Sequence, residues 1–289
     1  MGELLNLIEF ALRGLMVGAV YALMAMGLSL IFGVMRVVNV AHGEFLMLGG
    51  YVSFFTWSYT QLNPIASLLI AMPVLFFFGV AIQRLFIERV VGRPELSSLM
   101  LCFGLSIILV QGAQVLFTPD PRGFTWLLYP VRLLGWNFPM YMLMIFATSM
   151  VIAFALFLFL KATRWGKAIR AVSQNYEVAQ ACGIDARKVR MLSFGCGAAL
   201  AGAAGAFVPV QFSLSPGVGH EFILKSFAVV VVGGLGSLSG AFLAGLLLGM
   251  VESLITFYFS SHLAQLTFYA TIIVVLLVRP GGLFGTAET

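Results

Sequence analysis

The chain has 289 residues, of which 61% are hydrophobic and only 9% charged, with 27 Phe and 31 Gly. A soluble domain carries about a quarter charged residues, so no soluble core could hide this much apolar surface and the bilayer is the solvent. The apolar runs are long and unbroken, which predicts an all-α integral membrane protein and excludes a β-barrel, whose strands alternate apolar and polar residues.

The net charge is +5, and its distribution says more than its size. Arg84, Arg89 and Arg93 fall in one loop. Lys161, Arg164, Lys167, Arg170, Arg187, Lys188 and Arg190 fall in another, so the two hold ten of the 16 Lys and Arg. Their place beside apolar runs makes both loops cytoplasmic and explains the charge without nucleic acid. Cys102, Cys182 and Cys196 are far apart and form no C-x-x-C pair. They read as small buried side chains, not as a disulfide framework or a zinc ribbon.

A spanning helix needs about 20 apolar residues. Candidate spans in chain order are 10–34, 42–60, 65–83, 96–117, 138–160, 191–213, 222–236, 240–257 and 262–279, a bundle of 8–9 spans with short broken or re-entrant helices. The start is not a cleaved signal, because Glu3 and Glu9 replace a basic region and the apolar run is too long. Residues 4–34 exceed one straight crossing, so 4–12 is expected to lie flat on the outer interface.

Asn39, His42 and Glu44 stand at the start of the next apolar run, in NVAHGEFLMLGGYV. They pose four possibilities: a metal site, a proton relay, a helix start, or the entrance to a transport path. Metal is disfavoured, since His42 and Glu44 at i and i+2 diverge on a helix and H-E-x-x-H is absent. A relay needs a line of polar groups, and only Glu252 lies well inside another apolar span. Asn39 as N-cap with Glu44 near the positive helix end is the plain reading. A position beside a path, near the inner end, is compatible with it, because buried polar groups in membranes face the bundle interior or a cavity.

The two basic loops are separated by an even number of spans, so they agree in side. That places 118–137 outside, where Trp126, Tyr129 and Trp136 fit an interfacial belt. Counting onward puts the C-terminus, after Arg279 and Pro280, in the cytoplasm. Counting backward puts the N-terminus outside.

Residues 161–190 form the only long polar stretch between spans. Residues 168–182 are predicted helical, with Ile169, Val172, Tyr176 and Ala179 on one face. Gly183 is a stop and Asp185 caps a second helix leading into the next span. Residues 222–257 surround GGLGSLSG and are too long for one helix, so they form two short helices or a re-entrant hairpin. Lys225 is expected to snorkel to the outer interface. Glu252 pairs with another buried polar group or faces the path. Small residues repeat at four-residue spacing: Gly14 with Gly18, Gly197 with Ala201 and Gly205, Gly236 with Gly240 and Ala244, Gly245 with Gly249. Such stripes let helices approach closely. The stretches His42-Gly43-Glu44-Phe45-Leu46 and His220-Glu221-Phe222-Ile223-Leu224 form a faint internal echo.

Glu177-Val178-Ala179-Gln180-Ala181-Cys182-Gly183 resembles the E-A-A-x-x-x-G loop of ABC importer permeases, with Val178 in place of the first Ala. Tyr21-Ala22-Leu23, Gly27, Phe32-Gly33, Val38 to Glu44 and Gly49-Gly50-Tyr51 closely resemble the N-terminal part of branched-chain amino acid ABC importer permeases. Phe32 stands where Tyr is common and Gly50 where Ala is common. The run Leu224 to Ser237 and the ending Arg279-Pro280-Gly281-Gly282-Leu283-Phe284-Gly285 are similar to the same family. The resemblance covers nearly the whole chain and favours the LivH-type subunit over its longer LivM-type partner.

The resemblance implies a single permease domain over 1–289 in a bacterial plasma (inner) membrane, multi-pass, forming half of a translocation path. It implies two cytoplasmic ATP-binding subunits, a second permease subunit and an extracytoplasmic substrate-binding protein. The chain itself has no G-x-x-x-x-G-K-[ST], so it is read as non-catalytic, with no cofactor and no metal. Coupling to the ATPases falls to Arg170, Tyr176, Glu177, Ala179 and Gly183. The path falls to Asn39, His42, Glu44, Gly233, Gly234, Gly236, Ser237 and Glu252. Whether His42, Glu44 and Glu252 touch substrate or only shape helices stays open. So does the cargo: leucine-like or other amino acids, urea or short amides. The rivals are a stand-alone channel or secondary transporter and, disfavoured by missing motifs, an intramembrane enzyme.

Overall fold

The computed structural model describes residues 2–133, 135–279 and 281–283; Pro280, Phe284 and Gly285 of the resemblance lie outside them. The first helix, α1 (Gly2–Met35), is one unbroken element of 34 residues. At 1.5 Å per residue it is about 50 Å long, well beyond a hydrocarbon core of about 30 Å. The expected flat segment at 4–12 is therefore overturned. Arg13 pairs with Glu9 one turn earlier at 2.8 Å, and Phe10 stacks on Phe257 with ring centroids 3.6 Å apart, so that part of the helix packs instead of turning aside.

Helix α2 (His42–Thr60) follows, then α3 (Pro64–Leu85) and α4 (Glu95–Phe117). Asn63 caps α3 by accepting the Ala66 N–H at 2.8 Å, and Pro64 takes the first position, where no amide donor is needed. The segment after α4 adds a small antiparallel hairpin to the all-α plan. Strand β1 (Pro130–Leu133) pairs with β2 (Trp136–Pro139), with Pro130 opposite Pro139 and Leu133 opposite Trp136. Gly135 at φ +94 supplies the left-handed turn residue. The rest is helical: α5 (Met140–Ala162), α6 (Arg164–Gln174), α7 (Tyr176–Ala181), α8 (Ala186–Ala206), α9 (Val208–Gln211), α10 (Val218–Gly233), α11 (Leu238–Tyr258) and α12 (Ser261–Val278).

Among the described residues, seven helical stretches are long and apolar enough to cross a membrane: those of α1, α3, α4, α5, α8, α11 and α12. This is a polytopic helical membrane protein. The count stops short of the expected eight or nine on that criterion. Helices α2 and α10 are real elements but fall outside it. The stretch 222–257 resolves into two helices, α10 and α11, joined by a tight turn.

Two helices form the centre. The apolar windows of α1 and α8 are 83% buried, against 28% for α4 and α5 and 11% for α12. Small residues make this possible. Gly14 and Gly18 of α1 lie against Gly249 and Gly245 of α11, and a Cβ on Gly18 would stand 2.6 Å from the Gly245 carbonyl oxygen. On α8, Gly197 meets Gly27 and Gly202 meets Gly49 and Leu75. With no hydrophobic drive between helices in lipid, this backbone proximity is the source of packing energy. The outer helices present Phe77, Phe103, Phe154 and Leu277 outward.

Candidate translocation and coupling sites

Helix α2 begins deep in the bundle. His42 Nε2 donates to the carbonyl of Met24 at 3.1 Å, about 16 Å along α1 from its end at Met35. Glu44 Oε1 accepts from Ser106 Oγ at 2.8 Å, and Ser106 is near the middle of α4. The start of α2 therefore lies level with the middle of α4, well inside the bundle. Arg36, at φ +50, ends α1 and lets residues 36–41 climb back as irregular chain. Irregular backbone at this depth is tolerated only where protein surrounds it, and Asn39, Ala41, His42 and Glu44 are fully buried.

Asn39 does not cap the helix with its side chain. Helix α2 starts at His42, the N-cap is Ala41, and no side chain caps it. Asn39 lies two residues too early, and only its carbonyl serves, accepting the His42 N–H at 3.2 Å. Both side-chain atoms of Asn39, His42 Nδ1 and Glu44 Oε2 are buried with no hydrogen-bond partner among the described residues.

The second broken element converges on the same spot. Helix α10 starts at Val218, and its Gly219 backs onto the Glu44 carboxylate, where a Cβ would collide with it. Gly43 in turn faces the Gly219 carbonyl. His220 Nδ1 lies 3.9 Å from Glu44 Oε1. Gly43 of the first echoing stretch thus meets Gly219, the residue just before the second, and the N-termini of α2 and α10 both lie beside the Glu44 carboxylate. Sequence reading flagged the echo but missed Ser106 and the role of His220, since a lone Ser in an apolar helix carries no signal of what it faces.

Lys225 does not snorkel. Its Nζ donates to Glu252 Oε1 at 2.6 Å and to Tyr21 Oη at 2.9 Å, and the Lys225 and Glu252 side chains are 14% and 15% exposed. The ammonium also lies 4.9 Å from the centre of the Tyr21 ring. Glu252 therefore has the buried partner expected of it, and the cluster joins α10, α11 and α1. At the far end of α10, Gly234 and Gly236 take φ +96 and +81, and Ser237 caps α11 by accepting the Gly240 N–H at 3.1 Å. Gly233 packs against Gly240. Gly233, Gly234, Gly236 and Ser237 make a tight helix–helix turn, next to Gly33 near the end of α1.

The polar stretch 161–190 is divided more finely than periodicity suggests. The expected helix 168–182 breaks at Asn175 (φ −153, ψ 110), whose Oδ1 accepts the Val178 N–H at 3.0 Å and starts α7. Ile169, Val172 and Ala179 are buried as expected, but Tyr176 is 42% exposed because the break turns it out of the face. Cys182, expected to be buried, is exposed. Gly183 at φ +82 ends the unit, and Asp185 caps α8 by accepting the Lys188 N–H at 3.2 Å. That hydrogen bond and the Lys188 ammonium hold the Asp185 carboxyl below its usual range. Arg170 and Glu177 are exposed.

A tether not read from sequence holds this unit to the bundle. Arg190 at the start of α8 donates to Glu88 through Nη2 at 2.5 Å and Nε at 3.2 Å. Gln83 Nε2 donates to Glu88 at 2.6 Å, and the Arg190 guanidinium lies 5.4 Å from the Tyr176 ring centre. The only available signal was Glu88, a lone acid between Arg84 and Arg89.

Broken helices meeting at a buried carboxylate, within a bundle of small-residue contacts and with a capped polar unit at one end, define a helical membrane transport protein. The chain belongs to the family described as the branched-chain amino acid transport system permease component, whose model matches residues 10–276. It is 32% identical to the high-affinity branched-chain amino acid transport system permease protein BraD of Pseudomonas aeruginosa, over 100% of this chain and 99% of that one. It is 29% identical to the permease protein LivH of Salmonella typhimurium, over 99% and 98% of the two chains. It is 30% identical to the probable permease protein LivH of Methanocaldococcus jannaschii, over 91% and 88%.

Proposed function

We propose that the chain is one of two permease subunits of an ATP-driven importer for branched-chain amino acids. The observation that carries this is the match along the whole chain to permeases named for that transport. In this reading the chain is a single non-catalytic permease domain in a bacterial inner membrane. The basic loops face the cytoplasm, α1 starts outside, and ATP is hydrolysed by two separate subunits.

The α6–α7 unit is the coupling element, offering Arg170, Tyr176, Glu177, Ala179 and Gly183 to an ATPase. The exposed Val178 and Tyr176 support this, since an apolar surface on a polar loop fits a protein partner better than water. The path runs past Asn39, His42 and Glu44 and the turn Gly233, Gly234, Gly236 and Ser237, with Glu252 beside it. A cavity of about 560 Å³ opens one turn beyond Glu44, walled by Leu48, Tyr51, Phe55 and Phe78. Its apolar walls suit a branched aliphatic side chain better than urea or a short amide. The substrate itself is delivered by an extracytoplasmic binding protein.

The test is a pull-down of the tagged full chain in mild detergent, with mass spectrometry of what accompanies it. Two ATP-binding subunits and a second permease are expected, with the ATPases lost on Glu177→Lys or Gly183→Arg. A chain recovered alone or as a homo-oligomer would favour a channel or secondary transporter. Labelled leucine uptake, compared with urea, then tests the cargo. Asn39→Leu and His42→Leu should lower uptake without lowering the amount of folded protein, and normal uptake in both removes 39–44 from the path.

A further inference from the structure

A second cavity, of about 360 Å³, lies at the end of the bundle that carries the basic loops. It is enclosed by α1, α5, α6 and the turn before α11, with Ser29, Gly33, Lys161, Arg170, Ser173 and Gly236 among its walls. Two of the lining residues are cations and none is acidic. Neither Lys161 nor Arg170 has an acidic partner among the described residues, although Glu88, Asp185, Glu9 and Glu252 each hold a cation elsewhere. The hydroxyl of Ser29, fully buried at the cavity wall, has no hydrogen-bond partner there. The site thus holds two positive charges and a spare hydroxyl donor with nothing to receive them.

What lies next to it identifies the occupant. Lys161 lies in the last turn of α5, and Phe154 and Leu158 stand seven and three residues before it on the same helix face. These two and Val151 are 69%, 54% and 67% exposed, an apolar strip leading directly to the ammonium. A diffusing anion would use the cations and ignore the strip. A phospholipid uses both, with acyl chains along α5 and its phosphate at the cavity mouth. Basic pockets between helices at this level are suited to anionic headgroups.

We propose that this cavity binds the phosphate headgroup of an anionic phospholipid through Lys161, Arg170 and Ser29. Because α6 forms one wall, the bound lipid clasps α6 to α1 and α5 and steadies the segment that leads into α7. The lipid site shares Arg170 with the proposed coupling element and Gly236 with the proposed path, and takes its leaflet from that reading; lipid retention is read without transport, so the two can fail separately.

The experiment uses the full chain, extracted in mild detergent with any subunits that accompany it. Native mass spectrometry counts bound phosphatidylglycerol after exchange into zwitterionic detergent, with phosphatidylcholine as the neutral probe and inorganic phosphate as the headgroup alone. The native chain is expected to retain phosphatidylglycerol over phosphatidylcholine. Lys161→Gln with Arg170→Gln is expected to weaken retention about thirtyfold, as two interfacial cations would. Lys161→Arg with Arg170→Lys keeps the charge and is expected to keep the lipid, which separates loss of the site from loss of fold. Equal retention in the neutralised and native chains overturns the proposal. So does displacement of the lipid by millimolar inorganic phosphate with no preference for phosphatidylglycerol, which would make this a simple anion site.

Discussion

Glu88 and Arg190 are 102 residues apart in the chain and form a two-pronged ion pair at the base of the bundle, with N–O distances of 2.5 and 3.2 Å. Glu88 follows α3 and Arg190 lies in the second turn of α8, so the pair joins two helices that pack together along much of their length. The guanidinium also faces the ring of Tyr176, the first residue of α7. One side chain thus links α7 to α3 and α8.

Arg190→Ala leaves Glu88 partly buried with Gln83 and a more distant Arg187 at 3.9 Å. A loss of ~3 kcal/mol is expected, at the low end for breaking a buried pair. The melting temperature of the detergent-extracted chain reads it. Arg190→Lys is expected to recover stability only in part, since an ammonium cannot make both contacts. If α7 is the coupling element, it should also lower uptake per ATP hydrolysed; an unchanged ratio would separate the tether from coupling.

The Lys225–Glu252 pair makes a sharper prediction. Lys225→Met strands a buried carboxylate and removes the donor to Tyr21, so a large drop in folded yield is expected. Lys225→Met combined with Glu252→Leu removes both charges and is expected to fold better than the single variant. Thermal denaturation of the native chain and the two variants decides it, and a double variant less stable than Lys225→Met alone would contradict the pairing.

Packing of α1 on α11 depends on atoms that are missing. Gly18→Val places a side chain against the Gly245 carbonyl and the backbone of Leu246, and should abolish recovery of folded protein. Gly112→Ala on α4 meets nothing within 4 Å and is expected to be neutral or slightly stabilising, by up to ~1 kcal/mol. Size-exclusion profiles of the two variants test the contrast.

At the crossing of α2 and α10, Gly219→Ala drives a methyl group into the Glu44 carboxylate and the Gly43 backbone. It is expected to cost more than Ser106→Ala, which removes one hydrogen bond worth about 1–2 kcal/mol. Glu44→Ala added to Gly219→Ala should give partial recovery, because one of the two collisions disappears. Absence of any recovery would mean that the backbone contact alone sets the limit.

The sequence by itself determined the solvent, the helical class, the family resemblance and nearly every helix. These follow from composition and from local signals: apolar runs of spanning length, the cap Asp185 and the stop at Gly183. It also showed which glycines form stripes, because four-residue spacing is a property of one helix alone. Only the tertiary structure decided what each polar residue faces. Lys225 looked like a snorkelling residue until Glu252 and Tyr21 were seen beside it, and Asn39 looked like a cap until the helix was seen to start at His42. The burial of Glu44 against Ser106 and Gly219, and the grip of Arg190 on Glu88, join residues far apart in the chain. Periodicity reports which face of a helix is apolar. It carries no information on which other helix, at what height, comes to meet it.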